Sequence, residues 1–261
     1  MKMTTLVQFI SKTAVIAELE VRKLFHDPTE MFFRAVQPAL WLLIFGEVFS
    51  RLHAVPTANL RYLDFMAPGI LAQSTLFIAI FYGIAIIWER DLGILQKLLV
   101  SPLPRAALVL GKAIAAGVRG LSAAIIIYGL AIGLRVPVNA NPVAILLLLI
   151  SVLLGAACFS TLSLIIACIV KTRERFMGIG QLLTMPLFFA SNALYPIAMM
   201  PRWLQIVAHV NPLTYQVDAL RTLMLVGQTS VFGLGVDFGV LLAVTTALVL
   251  VGARLYPHVV T

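Results

Sequence analysis

The sequence is poor in charged residues and has only two cysteines. Charged side chains make up 11% of its 261 residues, whereas a soluble domain carries about 25%. So little charge cannot cover a surface that faces water, which excludes a soluble globular enzyme. The cysteine count and the lack of a glycine period exclude a disulfide scaffold and a collagen. The apolar composition excludes a disordered chain.

Apolar residues dominate instead, at 61% of the chain with a mean hydropathy of +1.01. A membrane span needs roughly 20 such residues. Dividing the chain at its charges and turn formers predicts an all-α membrane protein with one domain over 1–261 and six transmembrane helices. The predicted spans are about 35–50, 66–88, 108–133, 142–170, 176–196 and 236–255.

The basic residues predict the orientation. Of the nineteen, thirteen fall on the side that holds both termini, five fall on the opposite side, and Arg119 lies within the third span. The positive-inside rule therefore places both termini in the cytoplasm and the multi-pass chain in the cell inner (plasma) membrane. The net charge of +8 faces anionic inner-leaflet lipid, and no nucleic acid partner is expected.

Two cytoplasmic segments are predicted not to span. Residues 10–30 favour a helix along the membrane surface, although an ordinary solvated helix fits them too. Residues 89–105 form a short helix with charged ends. Its apolar face, formed by Leu92, Leu95 and Leu99, needs a partner or the membrane surface to cover it.

On the opposite side, residues 197–226 predict outer helices before the last span. Asn211 caps the second of them and Pro212 takes its first position. Asp218 and Arg221 lie three residues apart on one helical face, so they can pair. These helices serve either as a lid over a pathway or as structural packing.

Catalytic and metal-binding motifs are missing from the sequence. The Gly111-Lys112 pair is followed by Ala113 and lacks the upstream glycine of a phosphate-binding loop. HExxH, CxxC and GxSxG patterns are also missing. We predict that the chain has no catalytic residue, no metal and no cofactor of its own, and is not an enzyme.

A few side chains within the spans are candidates for a substrate pathway. A charge as deep as that of Arg119 costs roughly 2.5–3.5 kcal/mol to insert, so Arg119 either faces a polar interior or a substrate headgroup, or snorkels to the cytoplasmic interface. Aromatic residues of the second span recur at helical spacing, which suits helix packing as well as a substrate-facing wall. The candidates are Phe77, Phe81, Arg119, Gln181, Phe188 and Asn192.

Two stretches resemble the ABC-2-type transporter permease family, including its drug, nodulation-factor and polysaccharide exporter branches. One is ERDLGILQKLLVSPLPR at 89–105; the other starts with NALYP at 192–196 and continues to NPLTYQVDALR at 211–221. The resemblance implies a fold like that of a type V ABC exporter. In that fold 10–30 is a connecting helix, 89–105 a coupling helix and 197–226 a pair of re-entrant helices.

The resemblance also implies partners and roles. A separate ABC ATPase subunit would bind ATP and Mg and dock on Glu89, Leu92, Leu95 and Leu99. A second permease subunit, the same or a related chain, would complete a pathway formed largely by the first, second and fifth spans among membrane lipids. In the outer helices, the resemblance implies functional roles for Asn211, Tyr215, Asp218 and Arg221.

The implied function is export of an amphiphile, namely a drug-like molecule, a lipid or a lipid-linked glycan. One alternative is a secondary, ion-coupled carrier, which needs a mid-membrane ion site that Arg119 alone does not make. Another is a membrane scaffold subunit without transport activity.

Charged or glycine substitutions at Leu95 and Leu99 test the coupling helix. We expect them to abolish binding of the ATPase subunit without unfolding the spans, because they remove an apolar docking face. Co-purification of the two subunits measures the effect. If the variant still co-purifies with the ATPase and stays coupled to it, this interpretation of 89–105 is wrong.

Overall fold

The computed structural model describes residue 18 and residues 36–52, 60–93, 105–170 and 172–255. The predicted surface helix at 10–30 lies almost entirely outside the described residues. The central part of the predicted coupling helix, including Leu95 and Leu99, also lies outside them.

Within these ranges the chain is nearly all helical. A helix over 36–52, here called the first helix, contains a π-helical segment at Trp41–Gly46 followed by α1 at Glu47–Leu52. The other helices are α2 Tyr62–Phe81, α3 Gly83–Asp91, α4 Arg105–Gly133, α5 Pro142–Ile169, α6 Arg173–Phe189, α7 Arg202–Val210, α8 Pro212–Met224 and α9 Leu234–Leu255.

Four stretches of the described chain are long and apolar enough to cross a membrane: Tyr62–Asp91, Leu108–Gly133, Pro142–Ile169 and Leu234–Leu255. They correspond to the second, third, fourth and sixth predicted spans. The described parts of the first helix and α6 occupy the places of the other two but are not among these four stretches. The six-span arrangement therefore stays a prediction.

Side-chain caps explain where three helices begin. The Asn141 side chain accepts a hydrogen bond from Val143 N at the start of α5. The Thr172 side chain accepts one from Arg175 N at the start of α6. Asn211 caps α8, with Pro212 at the first helical position, as the Asn-Pro pair predicts. Each cap satisfies a backbone N–H that the helix itself leaves without a partner.

α5 is the centre of the bundle and packs against α2, α3, α4, α8 and α9. Small residues allow these close contacts, as is common between helices in membranes. A Cβ at Gly155 of α5 would overlap the buried Gln216 amide of α8. A Cβ at Gly69 of α2 would overlap the backbone carbonyl of Ala193, so α2 lies directly against the turn that follows α6.

Gly69→Ala tests this approach. Alanine is the better helix former, but its methyl group must displace the Ala193 backbone, so we expect a loss of about 1–3 kcal/mol in the free energy of unfolding. Gly129→Ala on α4 is the matched control, because open space surrounds Gly129; it should be neutral or up to about 1 kcal/mol stabilising. Thermal unfolding of the purified chain measures both. Equal effects would contradict the close packing at Gly69.

Candidate functional site

A cavity of about 440 Å³ lies between the first helix, α2 and α6. The first helix contributes its N-terminal turn, α2 its second half and α6 its middle. The described lining residues are Gln37, Pro38, Gln73, Ser74, Phe77, Ile78, Phe81, Gln181 and Met185.

The cavity wall combines amides with aromatic rings. The side chains of Gln37, Gln73 and Gln181 form no hydrogen bond within the described residues, so their donors and acceptors are available to a ligand. The rings of Phe77 and Phe81 lie 6.1 Å apart, centroid to centroid. This pattern of apolar walls with a few polar groups is typical of small-molecule sites.

The structure brings three of the six predicted pathway residues, Phe77, Phe81 and Gln181, to this cavity. Phe188 lies in the core, with its ring 6.3 Å from that of Trp41. Asn192 is buried in the turn after α6. A role of these residues in transport stays a prediction.

Sequence reasoning missed Gln37 and Gln73 at the cavity. Their signal was an uncharged amide in an otherwise apolar helix, which is costly unless the amide has a partner or faces a cavity. The sequence does not tell which of these two applies, because that depends on what the neighbouring helices place opposite each amide.

Arg119 lies away from the cavity, on α4. Its guanidinium carbon is 5.0 Å from the ring centre of Tyr82, at the junction of α2 and α3. An aromatic face attracts a cation and so offsets part of the cost of placing it there. The spacing of acidic residues in the sequence could not reveal this partner.

Ion pairs connect the helices at one end of the bundle, which we call the charged end and define by Glu89, Asp91, Lys112 and Arg173. The buried Lys112 Nζ lies 2.5 Å from Glu89 Oε2, joining α4 to α3. Glu89, a predicted ATPase contact, is therefore buried between helices. Leu92, another predicted contact, is 67% exposed.

A second contact of the charged end joins α3 to α6. Arg173 Nη2 lies 2.8 Å from Asp91 Oδ2, and the guanidinium stacks 4.1 Å from the ring centre of Trp88. Arg173 is the first residue of α6, which carries Gln181 two helical turns further on. This contact therefore connects the start of the predicted coupling helix at 89–105 with α6, which forms one wall of the cavity.

At the opposite end, residues 190–233 form what we call the hairpin end. α7 exposes a large apolar face, with Trp203 at 66%, Ile206 at 68% and Val210 at 78%. α8 is almost completely buried. The Asn211 amide that caps α8 also donates to the carbonyls of Leu187 (2.7 Å) and Ala190, which ties α8 to the end of α6.

Arg221 and Asp218 do not form the ion pair that their spacing allows. Arg221 stacks 3.8 Å from the ring centre of Phe65 and donates to the Asn192 carbonyl at 2.7 Å. Burial lowers the pKa of the Arg221 guanidinium to about 10, which leaves it charged at neutral pH. The Asp218 carboxylate instead accepts from Val231 N (2.8 Å) and the Ser230 hydroxyl (2.9 Å).

Asp218 thereby organises the approach to α9. The Ser230 hydroxyl also lies 2.8 Å from a carboxylate oxygen of Asp237, in the first turn of α9. On the same hairpin, the Tyr215 hydroxyl donates to the carbonyl of His209 at 2.8 Å. Three of the four residues predicted for the outer helices, Asn211, Tyr215 and Asp218, thus make hydrogen bonds within the hairpin end, and Arg221 joins that end to α2.

Four apolar stretches of membrane length, one of which includes the cavity-lining α2, define a helical integral membrane protein. Residues 12–225 match the family model described as ABC-2 type transporter. The chain belongs to this family, which confirms the resemblance drawn from the two motifs.

Its relatives are transport permeases. The chain is 29% identical over 219 residues to the transport permease ycf38 of Cyanophora paradoxa, covering 82% of this chain and 74% of that protein. It is 26% identical over 234 residues to the daunorubicin resistance ABC transporter permease protein DrrB1 of Streptomyces coeruleorubidus, covering 88% and 79%. It is 25% identical over 189 residues to the inner membrane transport permease YadH of Escherichia coli (strain K12), covering 70% of each.

Arg221→Met tests whether the buried guanidinium holds the hairpin end to α2. We expect a loss of about 1–3 kcal/mol in the free energy of unfolding, because the Asn192 carbonyl loses its donor. Arg221→Lys should recover only part of this, since an ammonium lacks the flat guanidinium that stacks on Phe65. Thermal unfolding measures both, with the exposed Arg202→Gln as the control. A Met variant as stable as the control would contradict this role.

Proposed function

We propose that this chain is the permease subunit of an ATP-driven ABC exporter. It moves an amphiphile, namely a drug-like molecule, a lipid or a lipid-linked glycan, out of the cytoplasm or the inner leaflet. The family and the names of its relatives support the permease role. The observation that carries the choice of an amphiphile is the cavity between the first helix, α2 and α6, which offers amides and aromatic rings together.

The surroundings of the cavity fit a second permease subunit. The first helix exposes Leu40, Ile44 and Phe45, and the neighbouring α6 exposes Leu182 and Phe189. These apolar faces flank the cavity, so a second copy or a related chain packed on them would enclose a pathway between the two subunits. Membrane lipid covers the apolar surface that remains.

The energy comes from a separate ATPase subunit that binds ATP and Mg. It docks on the segment 89–105, and the exposed Leu92 near the start of that segment supports this docking site. When the ATPase moves this segment, the contact of Arg173 with Asp91 and Trp88 draws the start of α6 with it. A rigid-body shift of α6 then changes the shape of the cavity.

The proposed arrangement has six spans, with the first helix and α6 as the two shorter ones. The chain lies in the inner membrane of the cell. Both termini and the charged end face the cytoplasm, and the hairpin end faces outwards. The uneven distribution of basic residues supports this orientation.

Reconstitution tests the proposed function. The neighbouring reading frames are searched for an ABC ATPase, and the chain is co-expressed with that candidate and placed in liposomes. ATP hydrolysis and substrate movement are then measured with a panel of drugs and lipids. We expect some amphiphiles to stimulate hydrolysis and to be transported, and Phe77→Ala with Phe81→Ala to weaken both. Transport driven by an ion gradient without ATP would support a secondary carrier, and a complete lack of transport would support a scaffold. Either result overturns the proposal.

Arg173→Gln tests the mechanical connection. We expect substrate-stimulated ATP hydrolysis to fall about 3- to 10-fold while the ATPase still binds. This factor corresponds to the free energy of the cation–π contact and the exposed ion pair that the variant loses. Arg175→Gln is the matched control, because Arg175 is an exposed arginine two residues further on without a described side-chain partner. Equal activity of the two variants would contradict a coupling role for Arg173.

A further inference from the structure

We infer that the cavity selects amphiphiles whose polar group is uncharged and both donates and accepts hydrogen bonds, such as a carboxamide or a hydroxylated headgroup. This inference rests on the proposed function and narrows its substrate class. The observation that carries it is that three amides without hydrogen-bond partners among the described residues, Gln37, Gln73 and Gln181, lie beside the rings of Phe77 and Phe81.

The amides come from three different helices and converge on one space. Gln73 is only 5% exposed, so it sits deep in the wall, whereas Gln37 and Gln181 lie at the more open side. Each amide offers two N–H donors and one carbonyl acceptor. A buried polar group left without a partner is unfavourable. For the buried Gln73, a ligand group with both donors and acceptors removes this penalty, and the same group can bond to the more exposed amides of Gln37 and Gln181. A group with only donors or only acceptors satisfies each amide in part.

The charged residues that the structure describes do not line the cavity. Among the described residues that line it there is no ionisable side chain. Of the two arginines in the first turn of α6, Arg173 is engaged with Asp91, and Arg175 is exposed and does not belong to the described lining of the cavity. The buried Lys112 is engaged with Glu89. A phosphate, carboxylate or ammonium group entering the cavity would lose hydration without gaining a counter-charge, which is costly.

The rest of the cavity suits a flat apolar body. Phe77 and Phe81 present adjacent rings, and Ile78 and Met185 complete an apolar wall. Methionine adapts its shape to irregular ligands and makes favourable contacts with rings. A volume of about 440 Å³ is within the range of sites for drug-sized molecules.

Three probes with one apolar body test the inference: 1-pyrenebutanamide, 1-pyrenebutanoate and 1-pyrenebutyl-trimethylammonium. Their binding to the full chain in lipid nanodiscs is measured by pyrene fluorescence, with protein-free nanodiscs subtracting the lipid background. We expect the amide probe to bind at least about 10-fold more tightly than either charged probe. We expect Gln181→Leu and Gln73→Leu each to weaken it about 3- to 10-fold, the size of one hydrogen bond.

Two further variants sharpen the test. Gln228→Leu, in the loop before α9 and outside the cavity lining, should leave all three affinities unchanged. Gln181→Glu should raise the affinity for the ammonium probe, because it supplies the counter-charge that the cavity lacks. Since the Gln181 side chain is exposed, its variants remain informative if Gln73→Leu does not fold.

The outcomes separate the two levels of the proposal. If a charged probe binds as tightly as the amide, or if Gln181→Leu leaves the amide affinity unchanged, the headgroup inference is wrong. If neither Phe77→Ala nor Phe81→Ala changes the binding of any probe, the cavity is not the ligand site. The proposal of an amphiphilic substrate then loses the observation that supports it.

Discussion

The structure depends on one constraint: a chain surrounded by apolar solvent must satisfy its buried polar groups internally. Helices do this for the backbone, and the few buried charges need partners of their own. Arg221 shows the consequence most clearly, because it is charged, buried and placed between the Phe65 ring and the Asn192 carbonyl. By holding these two together it fixes the turn after α6 against α2.

This arrangement positions the candidate site. α6 is held at its end by Asn211, which donates to the carbonyls of Leu187 and Ala190. It is held at its start by Arg173 on Asp91. Its middle, with Gln181, faces the cavity and has few neighbours other than α2. A helix attached at both ends and loosely packed between them suits a wall that shifts when either end moves.

Much of the fold was accessible from sequence because the governing signals are local. Long apolar stretches predicted the four helices of membrane length, and the Asn-Pro pairs at 141–142 and 211–212 predicted two helix starts. The spacing of Phe77 and Phe81 placed both rings on one helical face. Two motifs were enough to indicate the family, since their turn formers and charges interrupt an apolar chain at characteristic places.

The sequence by itself determined that this is a helical membrane protein, because composition and apolar run length depend on no distant contact. Its resemblance to the ABC-2 family rested on two motifs, which are also local. Only the tertiary structure decided which partner each polar group has. Asp218 and Arg221 share a helical face, yet the carboxylate bonds to the 230–232 loop and the guanidinium to Phe65 and Asn192. Likewise, Gln216 of α8 is buried against α5, whereas Gln73 of α2 lines a cavity. The reason is physical: a polar side chain bonds to whatever lies within about 3 Å, and helix packing alone sets that neighbour.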